Sequence, residues 1–357
     1  MKIYYKLKEE KMINNEILVS IIIPIFNAES YIDRCLKSIL NNNIKNIEII
    51  LVNDGSIDRS GVICKKYKCN YENIIYINQC NQGPSVARNN GIARARGKYI
   101  AFIDVDDEVK DNFINKIMDE IKRDDIDLFM WGIEYQWINN EEIKKIENVQ
   151  YDTKEYTSNK FLSEITKYFN EFYFNFVWNK LYKKDIILKN KIQFNKNFKR
   201  SEDLLFNLEY IKYIKDVKVL EDILYIHKNT NKESITQTYD SNQYENEKVI
   251  YVKMKETIEK LKCNNDYNVK NVDKYFIDMS FSILSYLINR DYGLSYNEKR
   301  QAEIKIIKDN ELNLVLQKNK NNRKLNKILY FIIKNNSFIL LYIFCKSIRT
   351  YQKYLCK

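Results

Sequence analysis

The sequence predicts an α/β fold in which a mainly parallel sheet, flanked by helices, is followed by a helical carboxyl-terminal extension. Over the first hundred residues, short apolar runs typical of strands buried on both faces alternate with helical patterns. Five of the seven glycines and both prolines also fall in this region, where they mark tight turns. Strands that alternate with helices form βαβ units and therefore a parallel sheet.

The individual elements follow from the spacing of the apolar residues. β-branched runs bounded by polar residues predict strands, and apolar residues three or four positions apart predict helices. Proline is well suited to the first turn of a helix, so Pro84 marks a helix start. The predicted strands are 18–24, 47–52, 74–77 and 99–103, and the predicted helices are 32–39, 59–67 and 84–95.

Composition and charge restrict the class of protein. The chain is 45% hydrophobic and 30% charged, as expected of a globular protein with a sizeable core. Its net charge of +11 is concentrated in residues 312–357, which contain ten Lys or Arg residues and no Asp or Glu. The rest of the chain carries none of the basic faces or zinc-finger patterns of a nucleic-acid-binding protein, so no nucleic-acid partner is expected.

The cysteines and the first residues predict a cytoplasmic location. Seven cysteines are an odd number, and their spacing matches no structural zinc site, which favours reduced thiols. Residues 1–15 lack the apolar core of a secretory signal, so we expect that the protein is not exported.

Polar residues follow the predicted strands at the point where each strand ends. Asn27 follows the first strand, Asp54 the second, and Asp104 and Asp106 the fourth. A parallel sheet binds its ligands beyond the carboxyl ends of its strands. The sequence therefore predicts one crevice in which these side chains meet.

Asp104 and Asp106 are candidate metal ligands. Two carboxylates at a strand end can hold a hard divalent cation and leave its other positions to diphosphate and water. Aspartates after a strand also cap helices, so this short pattern is ambiguous by itself. Asp54 can accept a hydrogen bond from a nucleobase, or it belongs to an ordinary turn. Arg88 can reach a phosphate, or it forms a surface ion pair.

Six segments in order carry a resemblance to glycosyltransferase family 2. Four lie in the predicted parallel sheet, and two lie further on and resemble acceptor-side motifs of the family. The resemblance covers about residues 18–238 and implies a GT-A fold, Rossmann-like, and an inverting reaction. The segments are Pro24-Ile-Phe-Asn27, Asn53-Asp-Gly-Ser-Ile-Asp58, Asn81-Gln-Gly-Pro-Ser-Val-Ala-Arg-Asn-Asn-Gly91, Phe102-Ile-Asp-Val-Asp-Asp107, Trp178-Asn-Lys-Leu-Tyr182 and Ser201-Glu-Asp-Leu-Leu-Phe206.

The resemblance also implies roles for individual residues. Asp106 would be the principal ligand of a divalent cation, Mn²⁺ or Mg²⁺, and Asp104 would lie near it and the donor. Asp203, beside Glu202, would be the catalytic base, although acids at a helix start also match the helix dipole. Ser201 departs from the glycine that the family often has there. The donor-binding residues would be Pro24, Phe26, Asn27, Glu29, Asp54, Arg88 and Asp104, and the acceptor-side residues would be Trp178 and Lys180.

These expectations describe a hexosyltransferase acting in polysaccharide biosynthesis. It would transfer a sugar from a nucleoside-diphosphate donor, best fitted by a UDP-sugar, to a hydroxyl of a surface glycan or lipid-linked acceptor. Two alternatives stay open: a nucleotidyltransferase or other sugar-nucleotide enzyme, and a noncatalytic membrane-bound glycan-assembly protein. His227, the only histidine, has no second metal-ligand partner near it in the sequence. We expect a structural or acceptor-side role for it.

The domain organisation has three predicted parts. Residues 16–238 form the GT-A domain, with a nucleotide-binding half, 16–128, and an acceptor half, 129–238. Residues 239–311 form a helical extension, and 312–357 form a basic amphipathic tail.

The apolar runs of the tail are too short to span a bilayer. In a helix, Phe338, Leu341, Tyr342, Cys345 and Ile348 would form one face, and Lys346, Arg349 and Lys353 would lie on another. This pattern is typical of a helix lying on the inner face of the cell membrane. The same face could instead pack on the preceding helices.

Overall fold

The computed structural model describes residues 16–139, 142–157, 160–161, 164, 166, 173–230, 240–289, 292–335 and 337–355, with side chains up to residue 347. Within these residues the chain forms two compact units. The sheet unit comprises the described residues of 16–161, 174–198 and 202–230. The helical unit comprises the described residues of 164–173, 199–201 and 240–355.

Among the described residues, the sheet unit contains ten strands in one sheet. Its elements in chain order are β1 Val19–Ile25, α1 Ile32–Leu40, β2 Ile47–Asp54, α2 Ser60–Asn70, β3 Ile74–Gln79, α3 Pro84–Arg94, β4 Tyr99–Phe102, β5 Glu108–Val109, α4 Phe113–Arg123, β6 Leu128–Asn139, β7 Glu142–Val149, β8 Lys154–Thr157, β9 Lys180–Lys183, α5 Lys184–Lys189, α6 Glu202–Tyr210 and β10 Asp216–Thr230.

The amino-terminal half of the sheet is the parallel sheet that the sequence predicts. The strand order is β3-β2-β1-β4-β9-β6-β10-β5, and β1 pairs in parallel with both β2 and β4. All eight residues of β2 are buried, because helices cover both faces of a sheet of this kind. Helix α3 lies so close to β1 that a Cβ added to Gly91 would meet Ile22 Cγ2 at 2.4 Å, so only glycine fits there.

The other half of the sheet is mixed, which the sequence did not predict in detail. The short strand β9 runs antiparallel to both β4 and β6, and so joins the two halves. Strand β10 pairs in parallel with β6, and its register shifts between Val219 and Tyr225. Such irregularities bend a strand and redirect its side chains. The second half of β10 carries Tyr225 and His227, which lie in the candidate site described below.

The described residues of the helical unit form six further helices. Tyr251, Met254 and Ile258, spaced three or four residues apart, are buried and form the inward face of the first of these helices. A capping box at Ser295 and Glu298 starts the third helix. The helices are α7 Gln243–Lys260, α8 Asp266–Asn289, α9 Tyr296–Ile307, α10 Asn310–Asn319, α11 Lys324–Lys334 and α12 Phe338–Leu355.

Residues 312–335 and 337–355 of the basic segment belong to this helical unit. Leu312 lies inside α10 and is buried, and Leu341 and Cys345 of α12 are fully buried. The Asn289 side-chain amide of α8 donates to the Cys345 carbonyl, 3.3 Å away. The helix face predicted from Phe338, Leu341, Tyr342 and Cys345 is therefore divided: two of its members pack inward, and Tyr342 is exposed. The side chains of Ile348, Arg349 and Lys353 lie outside those described.

No helix in the described part of the chain combines the length and the apolar character needed to span a bilayer.

Candidate active site

Two loops at the carboxyl ends of β1 and β2 are joined by hydrogen bonds. The Asn27 backbone amide donates to Ser56 Oγ over 3.0 Å, and the Ile57 amide donates to Asn27 Oδ1 over 3.0 Å. Glu29 accepts from the Arg59 amide over 2.8 Å. Asn27 has a φ of 46°, a left-handed conformation that asparagine tolerates better than most residues. Two of the residues expected to bind the donor, Asn27 and Glu29, thus shape the crevice through backbone contacts.

The strand end of β1 presents an apolar side chain to solvent. Phe26 is 48% exposed, whereas Ile25 before it is 1% exposed. Pro24 lies within β1 and is partly exposed. An exposed aromatic ring beside a polar crevice is a suitable surface for stacking a planar base.

Asp54 is buried, and its carboxylate holds the loop that opens α3. Oδ1 accepts from Gln79 Nε2 over 2.7 Å and from the Gln82 amide over 2.9 Å. Oδ2 accepts from the Gly83 amide over 2.8 Å. The loop 79–83 therefore has a fixed position beside the crevice. In the structure both Asp54 carboxylate oxygens accept hydrogen bonds from this loop, whereas the sequence predicted a nucleobase as the partner of Asp54.

Arg88 forms ion pairs with three of the predicted site residues. Its guanidinium is almost fully buried, and Nη2 lies 3.0 Å from Asp104 Oδ1. Nη1 lies 3.2 Å from Glu202 Oε1 and 3.1 Å from Asp203 Oδ1. One cation from α3 therefore joins the strand end after β4 to the first turn of α6. The sequence placed these residues in one site but assigned Arg88 a phosphate or a surface ion pair as its partner.

The environment of Asp203 raises its pKa. Burial disfavours the charged carboxylate, and the charges of Glu202 and Asp104 act in the same direction, whereas the Arg88 guanidinium opposes them. The Val177 amide also donates to Asp203 Oδ2, over 3.3 Å. The net result is a carboxyl group with a pKa above the ordinary aspartate range, as is suitable for a group that must accept a proton near neutral pH.

A second cluster of carboxylates follows β4. Asp106 is exposed at the surface of the crevice, yet neighbouring protein atoms partly desolvate its carboxylate, and this desolvation, followed by the charges of Asp107 and Asp104, raises its pKa. Arg34 donates to the Asp106 carbonyl over 2.6 Å and so holds the loop, while the Asp106 side chain stays exposed. Asp106 thus lies among like charges that a cation would neutralise.

Asp107, which the sequence analysis did not single out, connects this loop to β10. Its fully buried carboxylate accepts from the Tyr225 hydroxyl over 2.7 Å and from the Lys228 amide over 2.8 Å. His227 Nδ1 lies 3.1 Å from the same carboxylate. The Tyr225 hydroxyl also accepts from the Asp104 amide over 3.2 Å. The sequence offered one sign that Asp107 belongs to the site, namely its position directly after Asp-x-Asp. That position does not indicate which residues of β10 Asp107 contacts.

The residues expected on the acceptor side are buried. Trp178 is 3% exposed and stacks on Tyr225 with ring centroids 4.4 Å apart. It also stacks on His227 at 5.5 Å. Lys180 is fully buried, with Nζ donating to the Phe176 carbonyl over 2.5 Å. Burial lowers the pKa of this lysine well below its ordinary value. Lys180 is therefore not available for direct contact with an acceptor in this structure, and Trp178 supports the ring of His227 from within.

Carboxylates such as those of Asp104 and Asp106 are the kind of ligand that a hard divalent cation takes. Within the described residues no group of three or more His, Cys, Asp or Glu side chains has the arrangement of a metal site. A two-carboxylate site is the arrangement expected where the substrate completes the coordination.

Comparison with known proteins is consistent with this geometry. Residues 20–189 match the model of Glycosyl transferase family 2. EpsJ, an uncharacterized glycosyltransferase of Bacillus subtilis (strain 168), is 34% identical over 62% of this chain and 63% of EpsJ. YibD, an uncharacterized glycosyltransferase of Escherichia coli (strain K12), is 30% identical over 71% of this chain and 73% of YibD.

The fold is also shared with a solved structure. TarS residues 1–349 of S. aureus, solved in complex with UDP-GlcNAc, has a TM-score of 0.66 and 20% sequence identity, covering 93% of this chain and 92% of that chain. At this identity the likeness concerns the fold. Since residues 20–189 match the family model and YibD is 30% identical over 73% of its own length, the chain belongs to glycosyl transferase family 2, and it has the GT-A fold.

Proposed function

We propose that this glycosyltransferase moves one sugar from a UDP-sugar to a hydroxyl of a surface glycan or lipid-linked acceptor, with inversion at the anomeric carbon. The observation that carries the proposal is the ion network of Arg88. It places Asp203, whose pKa is raised, beside Asp104 of the strand-end acids. A single displacement needs a base on one side of the sugar and support for the leaving diphosphate on the other.

The donor would lie across the carboxyl ends of β1, β2 and β4. Phe26 offers an exposed ring to the base, and the loop held by Asp54 borders the pocket. TarS, whose fold this chain shares, was solved with UDP-GlcNAc and with UDP, which supports a uridine nucleotide as the donor type. Asp104 and Asp106 would hold Mn²⁺ or Mg²⁺. Such an ion neutralises the charge that develops on a departing diphosphate.

Asp203 would act as the catalytic base. Its carboxylate accepts the proton of the acceptor hydroxyl while the hydroxyl oxygen bonds to the anomeric carbon and the bond to the diphosphate oxygen breaks. Positioned base catalysis contributes roughly 10²–10⁴ in rate. Arg88 keeps Asp203 in place, and the same guanidinium nitrogen also pairs with Glu202.

We further propose that the protein works at the inner face of the cell membrane. Ile339, Tyr342 and Ile343 of α12 form an apolar stripe, the α12 stripe, with exposed fractions of 75%, 53% and 57%. The surrounding segment 312–357 contains ten basic residues and no acidic ones. An exposed apolar stripe within a basic segment suits an anionic bilayer, where each Lys or Arg near the surface is worth about 1 kcal/mol.

Release of UDP from a panel of UDP-sugars, measured with and without Mn²⁺, tests the proposed reaction. We expect one UDP-sugar to be cleaved, faster with Mn²⁺ than in excess chelator. Formation of pyrophosphate from a nucleoside triphosphate and a sugar phosphate, with no cleavage of any UDP-sugar, would instead identify a nucleotidyltransferase. Binding of UDP-sugars without turnover in the presence of glycan or lipid-linked acceptors would point to a noncatalytic assembly protein.

A further inference from the structure

Ser201, the residue directly before α6, has a strained backbone. Its φ of 61° lies in the left-handed region, where the Cβ of an ordinary residue comes too close to the following carbonyl oxygen. Glycine has no such restriction. A residue with a Cβ stays in this conformation only where its surroundings enforce it.

Contacts within the helical unit can enforce this conformation. Ser201 Oγ donates to Glu247 Oε1 over 2.9 Å, and the Tyr275 hydroxyl donates to Glu247 Oε2 over 3.0 Å. One turn earlier on α7, Gln243 Oε1 accepts from Arg200 Nη1 over 2.8 Å. Two successive residues before α6 are therefore tied to α7, and the second is tied through a carboxylate that is only 1% exposed.

The buried Glu247 carboxylate needs these partners. Burial raises its pKa, while the hydrogen bonds from Ser201 and Tyr275 and the charge of Arg200 oppose that rise. A buried acceptor that loses a partner is costly, so the hydroxyl of Ser201 is held firmly in place. The backbone of Ser201 is fixed along with its hydroxyl.

We propose that Ser201, Glu247 and Tyr275 are positioning residues that set the direction in which the chain enters α6, and with it the place of the Asp203 carboxylate. Glu202 and Asp203 are the next two residues, and each lies within 3.2 Å of Arg88 Nη1. A change of φ at Ser201 alters the direction in which the chain enters α6 and so shifts the first turn, with both carboxylates, relative to Arg88. The inference rests on the proposed role of Asp203 as the base.

Three variants and a matched control test this inference. Ser201→Ala removes the hydroxyl and keeps the Cβ. Ser201→Gly removes both, so the left-handed conformation no longer needs enforcement. Tyr275→Phe weakens the hold on Glu247. Tyr251→Phe is the control, because it removes an equally buried hydroxyl that donates to Asp273 Oδ1, 2.9 Å away, from α7 to α8. All four are assayed for kcat and donor KM, for thermal stability, and for amide hydrogen exchange of residues 202–206.

We expect Ser201→Ala to lower kcat by between about tenfold and a hundredfold, because a small misplacement of a reacting group has effects of this size. Donor KM should stay within about twofold, since donor binding is not involved. Exchange of residues 202–206 should quicken in Ser201→Ala. Tyr275→Phe should lower kcat in the same direction, and Ser201→Gly should recover most of the loss. Tyr251→Phe should lower stability without changing kcat or this exchange.

The proposal fails if Ser201→Ala loses stability and nothing else. It also fails if Ser201→Gly is as impaired as Ser201→Ala, or if Tyr251→Phe lowers kcat equally. If the unaltered protein cleaves no UDP-sugar, the proposed function fails, and the exchange of residues 202–206 in the four variants still decides whether Ser201 positions α6.

Discussion

At the scale of single residues, Arg88 determines the character of the site. A buried guanidinium with fixed donors binds carboxylates with defined geometry, which a lysine could not do. Here it faces three acids, Asp104, Glu202 and Asp203, so its single positive charge leaves an excess of negative charge around it. This excess, together with burial, raises the pKa of Asp203.

Replacing the proposed base separates chemistry from folding. Asp203→Asn should reduce kcat at least about a hundredfold and leave UDP affinity nearly unchanged, because Asp203 would act only in the chemical step. A carboxyl whose pKa is raised in the folded state destabilises the fold once it ionises, so the Asn variant should not melt lower at neutral pH. Turnover assays, UDP titration calorimetry and thermal melting check this.

Glu209→Gln is the matched control, since Glu209 lies on the same helix and pairs with Lys212. Because Asp203 must be deprotonated to act, kcat should fall on acidification at a pH above the ordinary aspartate range of about 4. If the Asp203→Asn variant unfolds or loses UDP binding, Asp203 instead has a structural role in stabilising the first turn of α6.

Asp106→Asn should abolish transfer and the Mn²⁺-dependent part of UDP binding. Asp106 lies exposed beside two other acids, so in the proposed reaction its charge would hold an incoming cation. UDP titrations with and without Mn²⁺ measure the effect. Asp125→Asn, which removes a carboxylate paired with Lys98 and Lys183, should behave like the unaltered protein. Full activity of the unaltered protein in excess chelator would contradict a metal role.

At the scale of elements, α12 shows how a helix is divided between core and surface. Leu341 and Cys345 pack inward, while the α12 stripe stays exposed. The helical spacing of apolar residues is the same for the buried pair and for the α12 stripe. The neighbouring helices therefore decide which of the two groups is buried.

Changing Ile339, Tyr342 and Ile343 together to serine should abolish sedimentation with anionic vesicles and leave donor cleavage intact. These side chains are largely exposed, so stability should change little. Sedimentation of the unaltered protein should weaken as salt rises, because ions screen the basic residues. Val249 and Val252 on α7, 41% and 40% exposed, changed to serine form the control. Equal sedimentation of the two variants would rule out the stripe as the binding surface.

At the scale of the whole molecule, the basic segment contributes to the core of the helical unit. Leu312, Leu316, Leu329 and Ile333 surround the same small cavity as Ile277 and Leu284 of α8. Burying each such side chain contributes about 1.5–3 kcal/mol. Removing residues 313–357 should therefore unfold the helical unit.

Thermal unfolding and limited proteolysis check this expectation. The truncated chain should lose a cooperative transition and be cut within 240–312. A truncated chain that resists protease as the full chain does would show that residues 313–357 are dispensable for the fold.

The sequence predicted the elements that depend on residues close together in the chain, and not those that depend on contacts between distant residues. The strands β1 to β4 and helix α3 follow from local patterns, since β-branched runs and a helix-starting proline act within a few residues. The strand pairing of the mixed half was not predicted from the sequence. Its joining strand, β9, has only four residues, and its position depends on pairing with β4 and β6. Strand propensity is weak in so short a segment.

The sequence alone determined the parallel sheet, the crevice at its strand ends and the acids that meet there, because strand ends of a parallel sheet converge whatever the rest of the chain does. Tertiary structure alone decided what each side chain contacts. Arg88 faces carboxylates 16 to 115 residues away, and Asp107 holds β10. Charge pairing and burial depend on distances in space that a spacing along the chain does not contain.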